Sequence, residues 1–235
     1  MDLIKNIFKK ILILLLLLIF VGIIFVSIIV FQGYKLYTDA LSNTPLEVKI
    51  AEIKSDNNYV LLDNIATPYK DAVISAEDRR FYDHGAIDII SITRALVTNI
   101  EEREFLEGGS TITQQVAKNI YFTQKKEATR KIAEIFMAFY LEDNLSKDEI
   151  LEIYVNTCYF GKGYYGIKEA SVGYFKKEPK NMNLYECTLI AGVPNAPSVY
   201  SPAVNPDLAK KRQSHIIKSM IENGYLTQEE ADSIY

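Results

Sequence analysis

Three groups of residues in this chain have types and spacings suited to chemistry. The first is Glu77-Asp78, which sits among apolar neighbours, Ala72-Val73-Ile74 before it and Phe81 after it. A carboxylate next to apolar side chains loses hydration, which favours its role as a proton acceptor or donor. The plainer reading is a helix-face acid paired with Arg79 or Arg80. The second group is Arg130, Lys131 and Glu134. Arg130 and Glu134 are four apart and Lys131 and Glu134 three apart, so all three meet on one helix face. They form either a surface ion-pair ladder or a cationic pocket with one embedded acid. Such a pocket would suit a phosphate leaving group, with Glu134 a candidate ligand for a divalent cation such as Mg²⁺ or Mn²⁺. The third group runs from Gly108-Gly109 through Ser110, Thr111, Gln114 and Gln115 to Lys118 and Asn119. A glycine pair opening into a helix whose first turn is hydroxyls and amides presents free N–H groups to an anion.

The elements that must position these groups read as helices. Thr67-Pro68 opens one running to about Tyr82, and Asp88 caps a second through Ile89, Ile92 and Leu96. Thr111 to Tyr121 suits a third, and Lys125 to Leu141 a fourth with the stripe Ile132, Ile135, Phe136, Phe139. Ser146 with Glu149, Asn183 with Glu186 and Thr227 with Glu230 have capping-box spacing, and Asn205-Pro206 opens another helix. Val48 to Ile53 and Tyr59 to Leu62 read as short extended pieces. The charged segment Glu101 to Gly109 contains Phe105-Leu106, which an anchored protein could dip into a membrane face.

Residues Ile11 to Phe31 carry no charge and are almost all Ile, Leu, Val or Phe. At ~1.5 Å rise per residue the run covers about 30 Å, the thickness of a bilayer's hydrocarbon. It is longer than a signal-peptide core, and no Ala-x-Ala follows it. Lys5, Lys9 and Lys10 precede it, so the positive-inside rule puts the N-terminus in the cytoplasm and the remainder outside. The chain carries 26 Lys+Arg against 30 Asp+Glu. Three of the lysines lie before the anchor, so the outer part is the more acidic and is not built to bind nucleic acid. Cys158 and Cys187 have no metal-ligand spacing. They read as two buried thiols, with a single disulfide left open. The expected divisions are a cytoplasmic segment 1–10, an anchor 11–31, a connector 32–60, a catalytic domain 61–225 and a helix end 226–235.

Taken in order, these segments resemble the peptidoglycan glycosyltransferases of family 51, over about residues 60–225. Glu77-Asp78-Arg79-Arg80-Phe81-Tyr82-Asp83-His84 is similar to the family's Glu-Asp-x-x-Phe-x-x-His. Gly109 to Gln115 matches the second motif, followed by Lys118-Asn119, and Arg130-Lys131-Ile132-Ala133-Glu134 the third. Lys147 to Asn156 resembles the fourth, and Gly161-x-Gly163-x-Tyr165-Gly166-Ile167, Ala191-Gly192 and Pro197-Ser198-x-Tyr200-Ser201-Pro202 extend the likeness. The family usually has Gly two places after the motif-one His, where this chain has Ala86.

The resemblance implies a mainly α, lysozyme-like domain with a smaller membrane-facing lobe, behind one transmembrane helix. It implies transfer of glycan from undecaprenyl diphosphate to lipid II, with inversion and release of undecaprenyl diphosphate. Glu77 is then the expected base. Lys118, Arg130, Lys131 and more weakly Arg94 would steady the diphosphate, and Glu134 would orient those cations or help hold a divalent ion. Ser110, Thr111, Gln114, Gln115 and Asn119 would position sugar and phosphate. Membrane, lipid-linked glycan and other cell-wall synthesis proteins are the implied partners. A lysozyme-type lytic enzyme and a non-catalytic anchored scaffold are the rival readings. No Ser is followed three places later by Lys and no Lys-Thr-Gly occurs, so no transpeptidase site is expected and the chain reads as monofunctional.

Overall fold

The computed structural model describes residues 2–102, 108–122 and 127–234. Phe105, Leu106 and Lys125 lie outside the described residues. The architecture is mainly α, as expected, and no strand occurs among the described residues; the nearest thing to one is an isolated bridge between Tyr159 and Tyr165.

The first helix, α1 (Asp2–Asn43), runs without a break through the apolar segment. Its stretch from Asn6 to Asn43 is long and apolar enough to cross a membrane. Much of the expected connector is therefore helical. α2 (Leu46–Lys54) follows Pro45, so Val48 to Ile53 is helix rather than extended. The reason lies in its spacing: Leu46, Ile50 and Ile53 recur at the helical period, and all three join the core. Tyr59 to Leu62 forms no ladder either. The Asn156 amide accepts from Val60 N at 2.8 Å and donates to Val60 O at 2.9 Å. Glu152 accepts from Tyr59 OH and Leu62 N. Side chains supply the pairing that a neighbouring strand would give.

The remaining helices are α3 (Thr67–Glu77), α4 (Ile89–Glu102), α5 (Ile112–Tyr121), α6 (Ala128–Asn144), α7 (Lys147–Thr157) and α8 (Gly166–Phe175). After them come α9 (Leu184–Ala191), a one-turn α10 (Pro197–Tyr200), α11 (Pro206–Glu222) and α12 (Gln228–Asp232). The three expected capping boxes are all formed, at Ser146, Asn183 and Thr227. α5 is nearly all buried on one face through Ile112, Val116 and Ala117, and it packs against both α6 and α7.

α6 has two apolar faces. Ala133, Met137, Ala138 and Leu141 enter the domain core. Two residues of the stripe visible in the sequence, Ile132 and Phe136, serve α1 instead, while Phe139 stays exposed. Phe136 meets Tyr34 edge-on at 5.3 Å and stacks on Tyr37 at 5.9 Å. The helices touch at Gly33, where an added Cβ would lie 2.5 Å from Ile132 Cγ2 and 3.0 Å from the Thr129 carbonyl. The anchor is thus docked on the helix that carries Arg130, Lys131 and Glu134. Gly33→Leu is expected to force the two helices apart and cost about 1–3 kcal/mol. Gly22→Leu, where nothing lies within 4 Å, should be silent. Denaturant unfolding in detergent compares the two.

Candidate active site

α3 ends one turn earlier than its sequence suggests, and the site begins where it ends. Asp78 leaves helical geometry at φ −159° and ψ 74°. Its carboxylate turns inward: Oδ2 accepts the Ile112 backbone N–H at 3.0 Å and Oδ1 pairs with His84 Nε2 at 2.7 Å. Asp78 therefore closes α3 through its backbone N–H, which donates to the Ile74 carbonyl at 2.9 Å, while its side chain takes an N–H from the first turn of α5. Thr111 completes the junction. Its hydroxyl donates to the Ala86 carbonyl at 2.9 Å and accepts from Gln114 N at 3.1 Å. Thr111 is 2% exposed and acts as a helix cap, not as a group open to a ligand. Ala86, the departure from the family pattern, is buried and supplies that carbonyl.

Asp78, His84 and Asp88 offer ligand atoms within 4.8 Å of one another. Protein donors already fill the cluster. Arg80 forks onto Asp88, and Ser91 gives it both an N–H and a hydroxyl. Burial would raise the Asp88 carboxyl, yet the Arg80 and Ser91 hydrogen bonds hold it well below the usual carboxylate range. A guanidinium inside the cluster makes it a clasp rather than a cation site.

His84 has an acceptor at each ring nitrogen, the Asp78 carboxylate and the Gly85 carbonyl at 2.6 Å. Burial alone would lower its pKa, but those two acceptors raise it above the ordinary 6.5. A histidine raised in the folded state stabilises fully below its unfolded pKa, and that contribution is lost as pH rises through the folded value. The melting temperature of the wild type should therefore exceed that of His84→Gln most clearly below about pH 6.5. The gap should narrow at alkaline pH.

Glu77 occupies the last turn of α3, and its side chain is 6% exposed. Oε2 accepts the Gln115 amide at 2.7 Å. Oε1 is buried without a hydrogen-bond partner and lies 3.8 Å from Arg212 Nη2 on α11. Arg212 was not among the residues expected from sequence. It follows Lys210 and Lys211 in what reads as a solvated charge run, and only the packing of α11 against α3 and α9 brings it here.

On the neighbouring face of α5, Gln114 is 3% exposed and accepts from Lys131 Nζ at 3.1 Å. Lys131 also donates to Ser110 Oγ at 2.7 Å and lies 3.3 Å from Glu134 Oε2. Arg130 pairs with the other Glu134 oxygen. Glu134 is 2% exposed, so a buried acid faces two cations. Burial and the charges of Arg130 and Lys118 bring the Lys131 ammonium down to about 8. Consecutive glutamines thus join the two halves of the site, Gln115 holding the Glu77 carboxylate and Gln114 the Lys131 ammonium.

Lys118 lies one turn further along α5, and the Cys158 thiol feels both its charge and that of Glu77. Asn119 donates weakly to Cys158 Sγ at 3.9 Å and lines a cleft of about 320 Å³ with Tyr59, Asn156 and Tyr165. Arg94 lines a second, shallow cleft on α4 with Ile89, Ile90, Thr93 and Val97. Cys158 and Cys187 are both buried free thiols. Glu134 does not fit as a ligand for a divalent ion, because each of its oxygens already holds a cation.

The fold and site define a helical domain behind an apolar anchor helix, with a buried carboxylate and a partly buried cation cluster joined by one helix start. A family model described as Transglycosylase matches residues 46–221, and the chain belongs to that family. It is 38% identical over 223 residues to penicillin-binding protein 1A of Neisseria flavescens, covering 90% of this chain and 28% of the relative. Penicillin-binding protein 1F of Bacillus subtilis (strain 168) is 40% identical over 215 residues, 90% of this chain and 30% of the relative. Penicillin-binding protein 1A of Neisseria lactamica is 45% identical over 163 residues, 69% of this chain and 20% of the relative. The chain thus spans less than a third of the length of these relatives.

Proposed function

We propose that this chain is a membrane-anchored peptidoglycan glycosyltransferase that joins lipid II units into glycan at the outer face of the cytoplasmic membrane. The single observation that carries this reading is the coupling of Glu77 to the Lys131–Arg130–Glu134 cluster through Gln115 and Gln114. Glycosyl transfer between lipid diphosphates needs both halves. A sugar hydroxyl is a weak nucleophile, and Glu77 takes its proton as it attacks the anomeric carbon. A departing diphosphate needs positive charge rather than a proton, which Lys118, Arg130 and Lys131 supply. Glu134 orients those two α6 cations, while Gln114 and Ser110 hold the Lys131 ammonium in place. Attack and departure on opposite faces invert the anomeric centre. A divalent cation would enter with the diphosphate and add to the positive charge that steadies it.

The anchor keeps the site at the surface where both substrates reside, with the Lys5, Lys9 and Lys10 end inside. The exposed Ile89, Ile90 and Val97 face of α4 suits the lipid side, with Arg94 among them for a headgroup. A lysozyme-type hydrolase would need an acid at the leaving oxygen, not a cation cluster.

Incubation with lipid II tests the reading, with and without Mg²⁺. Growth of a glycan ladder supports it, whereas cleavage of finished wall with no ladder overturns it. Because Lys131 loses its proton near pH 8, the rate should fall as pH rises through that value. Lys131→Arg, which stays charged, should move this alkaline limb upward even if its plateau is lower. Initial rates of glycan formation across pH 6–10 decide the point.

A further inference from the structure

Glu77 raises a question that its role as base does not answer. Its side chain is almost wholly buried, yet Oε1 has no hydrogen-bond partner. A buried carboxylate oxygen left unmet is costly and needs an explanation. The nearest cation is Arg212, whose Nη2 lies 3.8 Å from that oxygen. This is ion-pair distance but beyond hydrogen-bond reach. The other titratable groups around Glu77 come from each element packed on it. They are Tyr69 on α3, Tyr154 and Cys158 at α7, and Lys118 on α5 beyond Cys158. Burial pushes both phenols well up and the Cys158 thiol to about 12, so these three are neutral at working pH.

Arg212 is itself built in. Its side chain is 18% exposed and its Nε is buried without a partner. The guanidinium lies over the Tyr200 ring, 5.9 Å from its centre. Its stem runs across Gly192, where an added Cβ would come 2.7 Å from Arg212 Cγ. On the next residue, Gln213 donates to Tyr185 O and Thr188 Oγ1, and Ser219 donates to the Ser75 carbonyl of α3. α11 is therefore pinned to both α9 and α3. The Ala191-Gly192 and Pro197 to Pro202 segments, which carry no chemistry of their own, supply the groove and the ring that seat this side chain.

We infer that Arg212 is the positioning residue for Glu77, orienting its carboxylate by charge from beyond hydrogen-bond range while leaving the Oε1 lone pairs free to take a proton. A bidentate salt bridge would satisfy both oxygens and block the base. Gln115 fixes one oxygen, and a guanidinium held just out of hydrogen-bond range stabilises the charge without occupying the other. The inference rests on Glu77 acting as the base in the proposed transfer.

The test is the pH profile of glycan formation by the full chain on lipid II, for the wild type, Arg212→Met, Arg212→Lys, Gly192→Ala and Glu77→Gln. In Arg212→Met the acid limb should move up, because the carboxylate loses its cation. Arg212→Lys should keep the limb near its original place with a lower plateau. Gly192→Ala retains the guanidinium but pushes its stem aside, so it should move the limb in the same direction by less. It also serves as the readout if Arg212→Met does not fold. A lower plateau with an unmoved limb in both Arg212→Met and Gly192→Ala, or in Gly192→Ala alone if Arg212→Met does not fold, overturns the inference and leaves Arg212 a packing residue. A Glu77→Gln protein at wild-type rate overturns the base itself, which is a separate failure.

Discussion

Glu77→Gln is expected to lower glycan formation by about 10²–10⁴-fold while the fold survives. The amide keeps the side-chain volume and can still accept from Gln115, so the packing between α3 and α5 has no reason to fail. What it loses is the ability to take a proton. Binding of lipid II should change little, because the cation cluster on α6 is held through Gln114 and Ser110 and not through Glu77. A falling kcat at nearly constant KM, from initial rates over a range of lipid II, is the expected pattern. A rise in KM with kcat preserved would assign Glu77 to binding.

Glu134→Gln should damage both stability and rate. Glu134 pairs with both Arg130 and Lys131, and the side-chain exposures of the three are 3%, 14% and 41% in that order. Neutralising it leaves two cations facing each other on one helix. Breaking a buried pair in this way costs about 3–5 kcal/mol, and the partial exposure of Lys131 puts the expected loss near the lower figure. Denaturant unfolding measures it. Adding Lys131→Met to the variant should recover part of the stability by removing one of the stranded charges. It should not recover the rate, because the diphosphate then loses a partner. If the double variant were as active as the wild type, the cluster would be structural only.

The residues that meet here were legible in the sequence because each half of the site is local. Arg130, Lys131 and Glu134 need only the helical repeat to converge, and the hydroxyl-rich start of α5 announces itself by composition. Their mutual placement was less legible. Gln114 and Gln115 look equivalent as neighbours in sequence, yet the helical turn sends one to Lys131 and the other to Glu77. Thr111 reads as a ligand group and proves to be a cap, because its hydroxyl finds the Ala86 carbonyl across the junction. Arg212 had no local signal at all. It is delivered by tertiary packing, in a lysine-rich stretch whose ordinary meaning is solvated surface. The stripe Ile132, Ile135, Phe136 and Phe139 was visible as apolar, but nothing in its period says that α1 rather than the domain core covers Ile132 and Phe136. The segment Val48 to Ile53 shows the opposite error, where β-branched residues outweighed a helical spacing that the core in fact uses.

The configuration of the newly formed glycosidic bond tests the central claim most directly. With α-linked lipid II as substrate, a base on one side of the anomeric carbon and a cation cluster on the other require a β-linkage. They also require one undecaprenyl diphosphate released for each bond made. NMR of the isolated product, with the released lipid counted, is expected to show that outcome. An α-linkage, or diphosphate released with free sugar and no new bond, would contradict it.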